Sequence, residues 1–274
     1  MRGIWLCLLL CLLGGCTSLF FLPDKHQRIT PDQLGLKYES ISFSAEDGVA
    51  LTGWFLPAPD AALGTILFLH GNAENISTHV LSVAWLPQRG FNVFLIDYRG
   101  YGASEGSPDL PGVQRDIDAA MRELRRRSDV DAKRIVVYGQ SLGGALAIYN
   151  VAHSAYKADI RAVISESAFF SYRGITREKL SEFWLTWPFQ WLPSLTIDDR
   201  FAPGAAIGLL SPMPVLIVHG DQDLIVPVHH GRQLYDAARE PREIWIAPGG
   251  GHIQAMARED WRRRFVAYLR RVLE

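Results

Sequence analysis

Two stretches of the chain carry the pattern Gly-x-Ser-x-Gly, in which a serine between glycines can act as a nucleophile toward an acyl carbon. One is Gly139-Gln140-Ser141-Leu142-Gly143 and the other is Gly102-Ala103-Ser104-Glu105-Gly106. The chemistry needs the serine on a sharp strand-to-helix turn, whose strained backbone tolerates only small neighbours two residues away on either side. Ser141 has that setting: the β-prone run Arg134–Tyr138 precedes it, and Gly144-Ala145-Leu146-Ala147-Ile148 opens a helix after it. Ser104 does not, because the next residues, Ser107-Pro108-Asp109-Leu110-Pro111, cannot be helix. Ser141 is the candidate nucleophile.

A serine hydroxyl needs a base, and the base needs an acid to orient it. Of the eight histidines, His70 and His219 close apolar runs and precede glycines, so they read as structural. His26 falls in a tether before the first strand; His79, His153, His229 and His230 fall on helix or loop candidates. His252 instead comes after Pro248-Gly249-Gly250-Gly251, a flexible loop able to carry an imidazole back over the strand ends. It is the candidate base. Acids between serine and histidine in chain order are Asp221 and Asp223, after the run Val215–His219, and Glu166, just past the preceding strand.

These residues need a scaffold, and the hydropathy pattern supplies one. Segments 40–45 and 50–57 flank Asp47-Gly48, a hairpin turn signal. Buried-strand candidates lie at 65–70, 91–97, 134–138, 160–165, 215–219 and 242–247. Between them, residues 112–127 place Val113, Ile117, Met121 and Leu124 on one helical face, and 254–273 repeats Trp261, Phe265 and Leu269. Strands alternating with helices predict an α/β domain built on a mostly parallel sheet. Composition agrees: 48% of the 274 residues are hydrophobic, and 28 Lys and Arg nearly balance 29 Asp and Glu. Disorder and a generic nucleic-acid-binding role are both disfavoured. Cys7, Cys11 and Cys16 are the only cysteines, so residues 17–274 hold neither a disulfide framework nor a cysteine metal site.

The first sixteen residues read as an address. Arg2 precedes the unbroken apolar run Ile4–Leu13, too short for a membrane span of ~20 residues but suited to a signal peptide. The run ends in Leu13-Gly14-Gly15-Cys16, which resembles a bacterial lipobox. That resemblance implies a signal peptide over 1–15, an acylated Cys16, a lipid-anchored tether over 16–38 and a hydrolase domain over 39–274. Thr17 after the cysteine resembles sorting to the outer membrane, hence an envelope protein on the periplasmic face. An ordinary signal peptide with an incidental cysteine, or an uncleaved short anchor, is the alternative.

Five segments in order resemble the α/β-hydrolase superfamily, closest to its monoacylglycerol-lipase-like and depalmitoylase-like members and within reach of its serine aminopeptidases. They are His70–Asn75 (HGNAEN), Asp97–Gly106 (DYRGYGASEG), Gly139–Gly144 (GQSLGG), His219–Pro227 (HGDQDLIVP) and Gly249–His252 (GGGH). The resemblance implies an eight-stranded sheet flanked by helices and a Ser141–His252–Asp223 triad, with Asp221 shaping the turn and Glu166 the rival acid. It also implies an oxyanion hole from the backbone N–H groups of Leu142 and Asn72, or of Ala73 if the register slips by one. Such chemistry requires no metal or cofactor.

The connection Glu166–Pro212 is long and aromatic, with Phe169, Phe170, Tyr172, Phe183, Trp184, Trp187, Phe189 and Trp191. It is expected to form a short helical lid over 166–212, either an acyl-chain wall facing the site or helices packed on the sheet. The Arg-rich last helix (Arg258, Arg262, Arg263, Arg264, Arg270, Arg271) reads as a solvated face with cations near its C-terminus. The expected function is a membrane-anchored serine hydrolase acting on small or lipid-like acyl esters or thioesters, with no nucleic-acid partner. A serine peptidase and a non-catalytic envelope lipoprotein are the alternatives.

Overall fold

A computed structural model describes residues 20–274; the expected signal peptide and the acylation site Cys16 lie outside the described residues. The central sheet has eight strands: β1 (Glu39–Ser44), β2 (Ala50–Leu56), β3 (Gly64–Leu69), β4 (Phe91–Asp97), β5 (Ile135–Gln140), β6 (Ile160–Glu166), β7 (Val215–Gly220) and β8 (Arg242–Ala247). Their spatial order is β8-β7-β6-β5-β3-β4-β2-β1. Only β2 runs against its neighbours; the pairings from β4 across to β8 are parallel. β3 to β7 read as continuous apolar runs because both faces of the sheet are covered. In β3, Leu67 and Leu69 point into one core layer and Ile66 and Phe68 into the other.

Five longer helices pack on those layers: α1 (Leu110–Arg126), α2 (Leu142–His153), α3 (Tyr172–Glu182), α4 (Val228–Ala237) and α5 (Glu259–Leu273). Asp109 starts α1 by accepting the Gly112 N–H at 2.5 Å, with Pro111 in the first turn. The stripe Val113, Ile117, Met121 and Leu124 is buried, as the spacing predicts. On the opposite face α5 buries Trp261, Phe265 and Leu269. The helix expected from residue 254 starts at Glu259, after a 3-10 turn over Ala255–Ala257. Several arginines here are engaged locally: Arg264 lies over the Trp245 ring at 3.9 Å, Arg271 pairs with Glu243, and Arg258, just before the helix, pairs with Asp260.

Residues 20–38, expected to be a tether, are instead packed on the domain. Phe21 is buried, and Leu22–Pro23 forms a short parallel ladder with Ala73–Glu74. The Asn75 side-chain amide donates to the carbonyls of Asp24 and His26, both at 2.9 Å. Phe21 joins the core and Phe20 packs against it, while Leu22 points outward and contributes its backbone to the ladder, so the domain boundary lies upstream of residue 39. Among the described residues no helix is long and apolar enough to cross a membrane.

Arg99, at the end of β4, holds the antiparallel edge to α1. Its guanidinium donates to Asp116 at 2.8–3.1 Å and to Asp47 at 2.8 and 3.0 Å, and its N–H also reaches Asp116. Both Arg99 and Asp116 are buried. Removing one partner leaves the other charge unpaired in the interior. Asp116→Ala should lower unfolding free energy by about 3 kcal/mol or more in urea titration. A change below ~1 kcal/mol would show that Asp47 alone carries the pair.

Candidate active site

Ser141 sits between β5 and α2 with φ 54° and ψ −119°, a conformation that non-glycine residues rarely adopt. Backbone crowding imposes it. A Cβ on Gly139 would come within 2.1 Å of the Gly143 carbonyl oxygen, and one on Gly143 within 2.1 Å of the Leu69 carbonyl oxygen. The glycines two residues either side of Ser141 are therefore steric requirements. The Ser141 N–H donates to the Glu166 carbonyl at 2.8 Å, tying the turn to the end of β6.

Ser104 has no such setting. It is buried, its hydroxyl donates to the Asp97 carbonyl at 2.7 Å, and its oxygen accepts the Thr52 N–H at 2.9 Å. It clamps β2 to the loop after β4.

Asp223 and His252 meet as expected. The His252 Nδ1–H donates to Asp223 Oδ2 at 2.8 Å, which leaves Nε2 unprotonated and able to take a proton. The other Asp223 oxygen accepts the N–H groups of Ile225 and Val226, both at 2.9 Å. Burial works against ionisation of Asp223, yet the His252 and Val226 bonds outweigh it and hold the carboxyl below its ordinary pKa. His219, read as structural, pins the same loop: its Nε2–H donates to the Val226 carbonyl at 2.7 Å. Asp221 shapes the turn by accepting the Gly249 N–H at 2.7 Å.

Glu166, the rival acid, faces elsewhere. Its Oε2 accepts from Tyr138 and, at 2.8 Å, from Gln140. Burial raises its pKa. Among the described residues no hydrogen bond joins it to His252.

The loop after β3 stands beside the serine: a Cβ on Gly71 would lie 3.6 Å from Ser141 Cβ. Among the described residues, neither the Leu142 nor the Asn72 N–H donates to another backbone group. The Asn72 carbonyl is held from the far side by the Leu22 N–H at 2.9 Å and the Tyr101 hydroxyl at 2.6 Å. The histidine loop reaches the same place, because the Ile253 N–H donates to Ser167 Oγ at 3.2 Å, one residue past Glu166. No hydrogen bond links Ser141 Oγ to His252 among the described residues; such contacts are often open without substrate.

Glu74, Ser141, Ser167 and Ile253 are the non-glycine residues with positive φ among the described residues. All four lie on the converging loops, and strain of this kind collects at functional sites. Sequence reading found Ser141 but missed Ser167 and Ile253, since a Ser and an Ile in left-handed backbone leave no compositional mark. The lid aromatics divide: Phe169 and Tyr172 are buried, whereas Phe183, Trp184, Trp187, Phe189 and Trp191 are exposed. A cavity of about 1040 Å³ lies at the other end of the sheet, near Ile160, Val215 and Arg242 at the strand starts. The residues gathered here are at the carboxyl ends, where folds of this class bind ligands.

The strand order and the strained serine turn define an α/β-hydrolase fold. The chain belongs to the serine aminopeptidase S33 family of hydrolases, whose model matches residues 60–208. It is 40% identical over 244 residues to uncharacterized protein YfhR of Escherichia coli (strain K12), covering 88% of this chain and 81% of that one. It is 37% identical over 240 residues to the alpha/beta hydrolase domain-containing protein WAV2 of Arabidopsis thaliana, covering 84% and 77%. Among solved structures it resembles the esterase Pf2001 of Pyrococcus furiosus, with a TM-score of 0.73 and 22% identity over 93% of this chain and 98% of that one. It also resembles an acylaminoacyl peptidase of Pyrococcus horikoshii, with a TM-score of 0.65 and 20% identity over 87% and 42%. The structural likenesses bear on the fold alone.

One buried carboxylate underlies the loop after β3. Asp97 Oδ1 accepts the Ile76 N–H at 2.9 Å, and a Cβ on Gly102 would fall 1.9 Å from Asp97 Oδ2. Burial raises the Asp97 pKa to about 7, against the pull of the Ile76 bond and Lys25. The folded state thus keeps a proton that the unfolded chain releases near pH 4, so stability should fall as pH rises from ~4 to ~7. Asp97→Asn should abolish that loss, which could reach about 4 kcal/mol. Denaturant midpoints of the two proteins across pH test it; parallel profiles would refute it.

Proposed function

We propose that the chain is a serine hydrolase that cleaves carboxylic esters or thioesters through an acyl-enzyme, held at a bacterial envelope membrane by a lipid on Cys16. The observation that carries the catalytic reading is the Asp223–His252 bond on a loop that converges on Ser141. Ser141 Oγ attacks the acyl carbon as its proton passes to His252 Nε2. Asp223 stays ionised and stabilises the imidazolium. The N–H groups of Leu142 and Asn72 receive the oxyanion. His252 returns the proton to the departing alcohol or thiol, then activates a water that frees the acid and restores Ser141. The five ordered segments, which resemble those of monoacylglycerol-lipase-like and depalmitoylase-like hydrolases, support ester or thioester cleavage. The family's aminopeptidase description supports a second reading, hydrolysis of peptide bonds by the same groups.

A fluorophosphonate probe should label the wild type and not Ser141→Ala. Turnover of p-nitrophenyl esters should exceed that of aminoacyl anilides; the reverse preference would favour the peptidase. Asp223→Asn should lower kcat by about 10⁴-fold, as loss of the orienting acid does elsewhere. Glu166→Gln should cost less than about tenfold, and an inverted ranking would transfer the acid role to Glu166. Labelled palmitate should enter the wild type in a lipoprotein-processing host but not Cys16→Ser. Equal incorporation would refute the anchor.

A further inference from the structure

The segment Phe183–Ile197, just after α3, has no charged residue and contains three tryptophans and two phenylalanines. Ile197 at its end anchors in the core, but the aromatic side chains stay outside: Trp184 is 77% exposed, and Leu195 with them is 75% exposed. The patch continues onto the acid loop, where Leu224 is 86% exposed beside Asp223, and the Lys179 ammonium donates to the Leu224 carbonyl at 2.9 Å. An exposed apolar surface of this extent marks a docking site.

We infer that this surface seats against a lipid bilayer, with its tryptophans at headgroup level. Three observations select lipid over protein. The segment lacks the arginines that usually accompany tryptophan at protein interfaces, and Trp beside Phe and Leu is the composition of a membrane–water boundary. The leader also joins the fold at the base of the patch: the Phe20 ring meets Tyr172 edge-on, with centroids 4.9 Å apart. Phe20, Lys179 and Ile197 line one small cleft, so the leader's entry, the patch and the acid loop adjoin. Finally, Cys16 is four residues from Phe20, a reach of at most about 14 Å, and the apolar run ending at Leu13 is within about 25 Å. A membrane that holds the leader cannot be far from the patch. The second and third steps rest on the proposed anchoring; the first does not. The surface would then present the mouth beside Asp223 to acyl chains in the bilayer.

The test uses full-length protein with Trp5→Phe, which removes the tryptophan of the apolar run, on vesicles of phosphatidylethanolamine and phosphatidylglycerol with brominated acyl chains. Intrinsic fluorescence should be quenched, and adding Trp184→Phe, Trp187→Phe and Trp191→Phe should cut the quenched signal about threefold while vesicle binding persists. In a Cys16→Ser background, Trp→Ser changes at those three positions should weaken vesicle partitioning about tenfold. Equal quenching with and without the three tryptophans, or none in either protein, overturns the inference and points to a protein partner. Unchanged melting temperatures establish that the variants fold. Absence of palmitate from the wild type, with quenching intact, would refute the acyl anchor alone.

Discussion

At the end of β5 three pieces of backbone must meet with no room for a side chain. Gly139, Gly143 and the Leu69 carbonyl are so close that a methyl on either glycine would overlap backbone atoms. This contact drives the chain from strand to helix within one residue and puts Ser141 in the left-handed region. Its position is set by that crowding and not by any bond of its own side chain. The parallel register then brings the other loops level with it. Gln140 pairs with Glu166 across β5 and β6, and Glu166 with Val218 across β6 and β7.

Much of this was legible in the sequence because the signals were local. Continuous apolar strands, the α1 stripe and the glycines around Ser141 state their environments through composition and period. The choice of Ser141 over Ser104 depended only on the few residues after each serine, helix formers in one case and prolines in the other. Asp223 was legible through the resemblance of its loop, and the structure sets it against His252 while Glu166 faces Tyr138 and Gln140. The features that could not be read depend on contacts between distant segments. Arg99 with Asp116 and Asp47, Ser167 with Ile253, and Tyr101 with the Asn72 carbonyl have no periodicity to announce them.

The lid shows how composition can be right and its meaning open. Eight aromatics in one connection signal apolar function, but the pattern could not separate a wall, a core or a surface. The structure divides them: Phe169 and Tyr172 join the core, while Trp184, Trp187 and Trp191 face outward. Turn-rich sequence around Pro188 and Pro193 gives no single helical face to bury, so these side chains are left outside.

The pairing of Leu22–Pro23 with Ala73–Glu74 bears on how the domain can be cut. A truncation at residue 39 follows the expected start of the hydrolase domain and keeps every strand of the central sheet. It would nevertheless delete the N–H that holds the Asn72 carbonyl, the acceptors of the Asn75 amide and the buried Phe21 ring. Such a fragment could retain its circular dichroism and lose its chemistry, because the missing edge steadies a loop rather than the sheet. For recombinant work, a fragment that keeps this edge retains Phe21 and Leu22.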